Sequence, residues 1–232
     1  MRGVFVTGTD TGVGKSVLAA AICAALNGRG ERVAAFKPVV TGLDEEPERS
    51  PLGDAWPPDH ELLASAASAG QSPEDIAPHR FGPPASPHHA AELAGVRLEP
   101  ADLADAARSA GEGADALVCE GIGGLMVPLT TGYLVRDLAL DLGLPAVVAA
   151  RPGLGTLNHT LLTLESARAA GLQVAGVVMT PWPDEPSGLE ESNRETIERL
   201  GDVIVTVLPA VSPDDLSRAS RDLPVDLWLG AG

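Results

Sequence analysis

Residues 8–16 read GTDTGVGKS and follow the short apolar run GVFVT at 3–7. A chain that cradles phosphate must converge backbone N–H groups on one point. Glycine permits that close approach, and the N-terminus of a following helix adds its positive dipole end. Gly12, Val13, Gly14, Lys15 and Ser16 supply such a cradle, with Lys15 for the terminal phosphates and the Ser16 hydroxyl for Mg²⁺. The apolar run before it and the Ala-rich stretch after it are the context this loop requires. Five residues, Thr9 to Val13, separate Gly8 from Gly14, so the loop is longer by one residue than the usual template.

Working outward, apolar β-branched runs predict strands at 3–7, 32–37, 114–119, 145–150, 173–179 and 202–208. Helices are predicted at 15–28, 59–69, 88–95, 100–110, 134–142, 157–170 and 188–200. The strands are apolar on both faces, as in a parallel sheet covered by helices. Their alternation with helices predicts right-handed crossovers and a doubly wound, mostly parallel α/β sheet of the P-loop NTPase-like kind, in one domain over 1–232. Two segments break the pattern. Residues 42–58 are acidic and Pro-rich, and 71–87 hold five prolines. Each is read either as a lid or binding loop or as a surface insertion.

Aromatic residues make up 3% of the chain, so Ala, Leu and Val must fill the core. The net charge of −16 disfavours nucleic acid and anionic membrane surfaces as partners. Cys23 and Cys119 lack metal-site spacing, which fits a reduced, cytoplasmic setting. The strand expected almost directly after Met1 leaves no place for a signal peptide. No apolar run reaches the roughly 18 residues that span a bilayer.

Three further constellations carry chemistry. The run ALVCE at 116–120 is an apolar strand ending in a carboxylate, followed by GIGG at 121–124. Glu120 would face the crevice where α/β proteins bind ligands, and Gly121, Gly123 and Gly124 would let backbone approach one. Lys37, in KPVVTG at 37–42, closes the second strand at the same edge, with Thr41 beside it. A second lysine near Lys15 would stabilise charge on a transferring phosphoryl group; the alternative is a strand-end lysine that snorkels to solvent. Asp59 and Glu61 open a helix, either as metal ligands or as acids that favour its dipole. The five histidines form no metal box, and no serine has a His–Asp pair at recognisable positions. Asp10 stands where partition-type and septum-placing ATPases carry a second lysine, which disfavours that class although it shares the fold.

Together TGTDTGVGKS at 7–16, KPVVTG at 37–42, PASPH at 84–88, EGIGG at 120–124 and GTLNHTLLT at 155–163 resemble the dethiobiotin synthetases across most of the chain. The resemblance implies an ATP-dependent enzyme that turns 7,8-diaminopelargonate and CO₂ into dethiobiotin, through a carbamate and a carbamic–phosphoric anhydride. It implies Lys15 and Lys37 as catalytic groups and Ser16, Asp59 and Glu120 as Mg²⁺ ligands. Asp59 is placed by its distance from PHRF at 78–81, which is similar to the family's NPYxF segment. The nucleotide would lie on residues 12–16, Glu120, Gly121 and Gly123, with its base against Val178 to Pro181 and against Pro209, Ala210 and Val211. Thr11, Thr41, Ser86, Pro87 and Gly124 correspond to diamine contacts. Leu157 and Asn158 correspond to contacts with its carboxylate tail across a homodimer interface. Thr180 stands where many relatives carry Asn for the adenine edge, so looser base choice and other nucleoside triphosphates are expected. Alternatives of the same fold are an ATP-dependent amidoligase, which would need a glutaminase domain, and a non-catalytic ATP switch.

Overall fold

The structure, a computed structural model, describes residues 1–229; residues 230–232, the end of the expected domain, lie outside the described residues. In chain order the strands are β1 (Gly3–Gly8), β2 (Val33–Phe36), β3 (Val39–Val40), β4 (His79–Arg80), β5 (Ala116–Gly124), β6 (Pro128–Thr130), β7 (Tyr133–Leu134), β8 (Ala146–Ala150), β9 (Val174–Trp182) and β10 (Val205–Pro209). The helices are α1 (Lys15–Asn27), α2 (Asp59–Ala66), α3 (Pro73–Ile76), α4 (Pro87–Leu93), α5 (Pro100–Ala110), α6 (Val135–Leu142), α7 (Thr156–Ala169), α8 (Gly188–Gly201), α9 (Leu216–Ala219) and α10 (Val225–Trp228).

Six strands form one parallel sheet in the order β10–β9–β8–β1–β5–β2. This is the doubly wound arrangement expected from the sequence. Side chains of β1 alternate between its two faces. Val4 and Val6 join Leu18 and Ile22 of α1 and Leu62 and Leu63 of α2. Phe5 joins Leu103 of α5 and Leu138 of α6 on the other side. A third apolar cluster packs Leu164 of α7 and Ile197 of α8 onto Val148 and Met179. Each Leu or Ile fully buried in these layers contributes about 1.5–3 kcal/mol relative to an exposed one. In α1, Ala19, Ala20 and Ala21 are all fully buried, so small side chains let this helix lie close between sheet and neighbours.

The chain leaves β1 for β2 and β5 on one side and returns through β8 on the other. The crevice at the carboxyl ends of these strands is therefore the switch point where ligands of such sheets bind. No helix among the described residues is long and apolar enough to cross a membrane.

Several boundaries differ from the sequence reading. The strand expected at 114–119, with Glu120 closing it, runs from Ala116 to Gly124, so Glu120 lies inside β5 rather than at its end. Its register against β1 shifts between Val6 and Gly8. The strand expected at 173–179 extends to Trp182 and takes in Thr180 and Pro181. The helix expected at 59–69 stops at Ala66 because Ala67 turns extended and the Ser68 hydroxyl caps the edge of β2, accepting from Val33 N at 2.9 Å. The strand expected from 202 starts at Val205, since Asp202 takes a left-handed φ of 44° to end α8.

The acidic segment 42–58 is folded. Leu43 and Asp44 N–H groups bond to Phe81 and Gly82 carbonyls, Arg49 bridges to Ala55, and Trp56 N–H donates to Glu48 O at 2.8 Å. Ser50 is buried and its hydroxyl accepts from Leu52 and Asp54 N–H.

Candidate active site

The loop after β1 keeps its shape through three kinds of contact. A Cβ on Gly8 would meet Val13 Cγ2 at 2.6 Å and Lys15 Cδ at 3.0 Å, so the loop can fold back over this position only as glycine. Gly14 is the N-cap of α1 with φ 84°, in the left-handed region that favours glycine. Lys15 Nζ donates to the Asp10 carbonyl at 2.7 Å and closes the long loop on itself. The Asp10 carboxylate accepts from Thr11 N–H at 2.7 Å, and Thr9 N–H bonds Ala149 O at 3.0 Å, tying the loop to β8.

Lys37 follows β2 and reaches the same mouth. Its ammonium donates to Asp59 Oδ2 and to Glu120 Oε1, each at 2.5 Å. Ser16 Oγ donates to the same Glu120 oxygen at 2.8 Å. Lys37 is 4% exposed, which excludes the snorkelling reading. Glu120 is fully buried, and its Oε2 has no hydrogen-bond partner among the described residues. Asp59, the first residue of α2, keeps 39% of its side chain exposed. Glu61 is exposed, so Asp59 is the acid that reaches the cluster.

Burial sets the charges here, and the neighbours modify it. Burial first, then the nearby Lys37 charge, lowers Lys15 to about 8. Burial alone would lower Lys37 too, but the charges and hydrogen bonds of Asp59 and Glu120 outweigh it and hold the ammonium well above its ordinary range. Burial raises the Glu120 carboxyl, against the attraction of Lys37 and with the repulsion of Asp59. For Asp59 burial acts upward, yet Lys37 and Ser16 win and the carboxyl sits below its ordinary value.

The Ser16 hydroxyl and the two carboxylates are oxygen donors of the kind a hard divalent cation takes. The unpartnered Oε2 of Glu120 fits such an ion, because a buried acceptor left unpaired is costly. Among the described residues no three His, Cys, Asp or Glu side chains cluster as a complete metal cage. The hydroxyl and two carboxylates present are a donor set that Mg²⁺ can take, with water and phosphate supplying its other ligands.

The remaining expected residues fall into three groups. Thr11 lies by β5: its Oγ1 is 3.5 Å from where a Gly123 Cβ would sit. Gly124 backs onto the Gly8 carbonyl, 3.4 Å from its own missing Cβ, and Gly121 packs against Val135 and Phe5. Thr180 is buried with its methyl 2.9 Å from the Cβ position of Gly14, so β9 touches the phosphate loop. Val13, Val178 and Val211 share one apolar cluster; Pro181 is exposed, and Pro209 and Ala210 are half-buried. Thr41 is half-buried after β3; Ser86 occupies the N-cap position of α4 without a side-chain cap, its hydroxyl lying 3.0 Å from His88 Nδ1, and Pro87 is buried. Leu157 and Asn158 lie in the first turn of α7, where Asn158 is exposed. Arg151, directly after β8, was missed by the sequence reading: its Nη2 donates to the Gly12 carbonyl at 3.0 Å. In the sequence it is a lone arginine after an apolar strand, with no motif around it to mark a role.

A strand–loop–helix cradle at the switch point, with a lysine, a hydroxyl and buried acids beside it, defines a P-loop NTPase-like protein. The family described as "AAA domain" matches residues 2–220. The chain is 44% identical over 224 residues to the ATP-dependent dethiobiotin synthetase BioD of Anaeromyxobacter dehalogenans (strain 2CP-1), covering 96% of each chain. It is 37% identical over 213 residues to the enzyme of that name from Bacillus subtilis (strain 168), covering 91% of this chain and 89% of that one. This chain belongs to the dethiobiotin synthetase family. Among solved structures, the MinC:MinD cell division complex of Aquifex aeolicus is similar in fold, with TM-score 0.55 and 12% identity over 97% of this chain and 89% of that one. A ParA family ATPase from Chlorobium tepidum TLS has TM-score 0.53 and 13% identity over 94% of this chain and 88% of that one. These are relatives in fold of the septum-placing and partition-type class that Asp10 argues against.

Proposed function

We propose that this chain catalyses the ATP-dependent ring closure of 7,8-diaminopelargonate with CO₂ to dethiobiotin, in keeping with the name dethiobiotin synthetase that its relatives carry, acting as one domain over 1–232. The observation that carries this reading is the Lys37 ammonium held between Asp59 and Glu120, one hydroxyl away from the phosphate loop. A simple nucleotide cradle needs Lys15 and Ser16; a second buried cation at the same mouth suits an anionic nucleophile that must approach an anionic phosphoryl group.

In this mechanism one amine of the diamine adds to CO₂ and loses a proton, giving a carbamate. A carbamate oxygen attacks the γ-phosphorus of ATP, ADP leaves, and a mixed carbamic–phosphoric anhydride forms. The second amine attacks the carbamoyl carbon, the C–O bond to phosphate breaks, and a proton is lost as the cyclic urea closes. Lys15 and Lys37 hold the two anions together. Thr11, Thr41, Ser86, Pro87 and Gly124 position the diamine. Ser16, Asp59 and Glu120 would hold Mg²⁺, which when bound supplies neutralisation of the phosphate charge.

The carboxylate tail would meet Leu157, Asn158 and the backbone N–H groups opening α7 of a second copy, in a homodimer. Leu154, 92% exposed just before α7, and exposed Asn158 in its first turn support the contact. Cys23 and Cys119 are free, buried thiols, which favours a reduced, cytoplasmic setting. Residues 12–16, Glu120, Gly121 and Gly123 hold the nucleotide, with Thr180, Pro181 and Pro209 to Val211 at its base. Thr180 offers one hydroxyl where Asn would offer a donor and an acceptor, which favours use of other triphosphates beside ATP.

The test is to incubate the purified protein with diaminopelargonate, bicarbonate, Mg²⁺ and ATP and to weigh the products. Dethiobiotin in the full mixture, and in no mixture lacking one component, is the expected result. ATP consumed without dethiobiotin would overturn the reading.

A further inference from the structure

We propose that Arg151 is a positioning residue for the phosphate loop, pinning the Gly12–Val13 peptide so that the Val13 N–H faces the cradle. This rests on the reading of residues 8–16 as a nucleotide site. The Arg151 Nη2 donates to Gly12 O at 3.0 Å, its hydrogen-bond acceptor among the described residues. Gly12 has φ 67°, and without a Cβ its neighbouring peptide can rotate at little steric cost. Across a trans peptide the C=O and the N–H point opposite ways. Holding the Gly12 carbonyl outward on Arg151 therefore holds the Val13 N–H on the other side, where an anion would collect it.

The brace has a firm base. Arg151 follows Ala150, which is fully buried, and β8 pairs with β1 up to Ala149 against Gly8. The same strand already holds Thr9 N–H through Ala149 O at 3.0 Å. Backbone thus fixes one end of the stretch 9–12 to β8, and Arg151 fixes the other. The guanidinium lies against the bare face of Gly12: a Cβ there would be 3.2 Å from Nη2 and 3.6 Å from Glu48 Oε1. Arg151 itself is exposed and, with Asp10, Thr156 and His159, lines a small cavity, so no apolar core depends on it. Orphan backbone donors aimed in advance at a ligand cost nothing to reorganise when it arrives, which is where the gain in binding arises.

The test compares Arg151→Met, which keeps the stem without donor or charge, with Arg151→Lys, which keeps one donor and the charge. ATP binding is measured by calorimetry with Mg²⁺ at low and high salt, alongside steady-state kinetics, below every variant's unfolding midpoint. Arg151→Met is expected to raise the Kd and KM for ATP about tenfold while kcat at saturation stays within about twofold of wild type. The loss should persist at high salt, since a short hydrogen bond is screened less than a distant charge, and Arg151→Lys should recover a large part of it. An unchanged ATP Kd in Arg151→Met overturns the inference. So does a loss that vanishes at high salt, or one confined to kcat. A wild-type protein that binds no ATP would sink the nucleotide reading instead, and the two failures are told apart by that control.

Discussion

At the scale of single residues, the decisive group is Lys37. Its ammonium bridges Asp59 and the fully buried Glu120, so removing it does two things at once. Lys37→Ala should lose turnover by at least about a hundredfold, because stabilisation of transferring charge is lost. The ion pair adds a cost in stability: stripping one partner from a buried pair leaves an uncompensated charge worth about 3–5 kcal/mol, less whatever Glu120 regains by taking up a proton. Thermal unfolding should therefore fall by several degrees. Adding Glu120→Gln to Lys37→Ala should recover part of the midpoint and none of the activity; a double variant no more stable than Lys37→Ala would contradict this. Lys15, Ser16, Lys37 and Glu120 were legible as candidates because each sits in a recognisable motif, the first two where a helix follows a glycine-rich loop and the others in or just after an apolar strand. Arg151 was not, because one arginine after a strand carries no pattern until the fold brings it to Gly12.

At the scale of elements, the phosphate loop depends on β9 as well as on β1 and α1. A Cβ on Gly14 would sit 2.9 Å from Thr180 Cγ2, and φ 84° is unfavourable for any L side chain. Gly14→Ala should cost about 1–2 kcal/mol in backbone strain, with a further loss from the contact, and should abolish tight nucleotide binding. Pairing it with Thr180→Ser, which removes the methyl, should restore part of the stability by urea titration; no recovery at all would place the whole effect in the backbone. The strands and long helices were readable from apolar periodicity, and α5 matches its expected 100–110 bounds. The segment 42–58 was not readable. Its fold comes from a buried serine, one bridge and Trp56 packed against the core, none of which repeats with a period. Two- to four-residue pieces such as β3, β4 and α9 are too short for periodicity to mark.

At the scale of the whole molecule, acid stability carries a sign that follows from burial. Burial lowers His79 below its ordinary value, with Asp102 opposing. The unfolded chain then takes up a proton first as pH falls, so the stability contribution is complete above about pH 6.5 and is lost as pH drops through that value toward the lower folded one. His79→Gln should flatten the fall in urea midpoint between about pH 7 and 5. A steeper fall in the variant would reverse the assigned direction. The parallel sheet as a whole brings residues from 8–16, 37, 59 and 120 to one mouth, although they are spread over half the chain. The reaction proposed for that mouth can be tested by supplying bicarbonate labelled with heavy oxygen and weighing the inorganic phosphate formed in the first turnovers. If the carbamate attacks the γ-phosphate, one labelled oxygen passes into phosphate for each dethiobiotin made and another stays in the ring carbonyl. Dethiobiotin accompanied by unlabelled phosphate would contradict that route, and labelled bicarbonate that yields no dethiobiotin would contradict the activity itself.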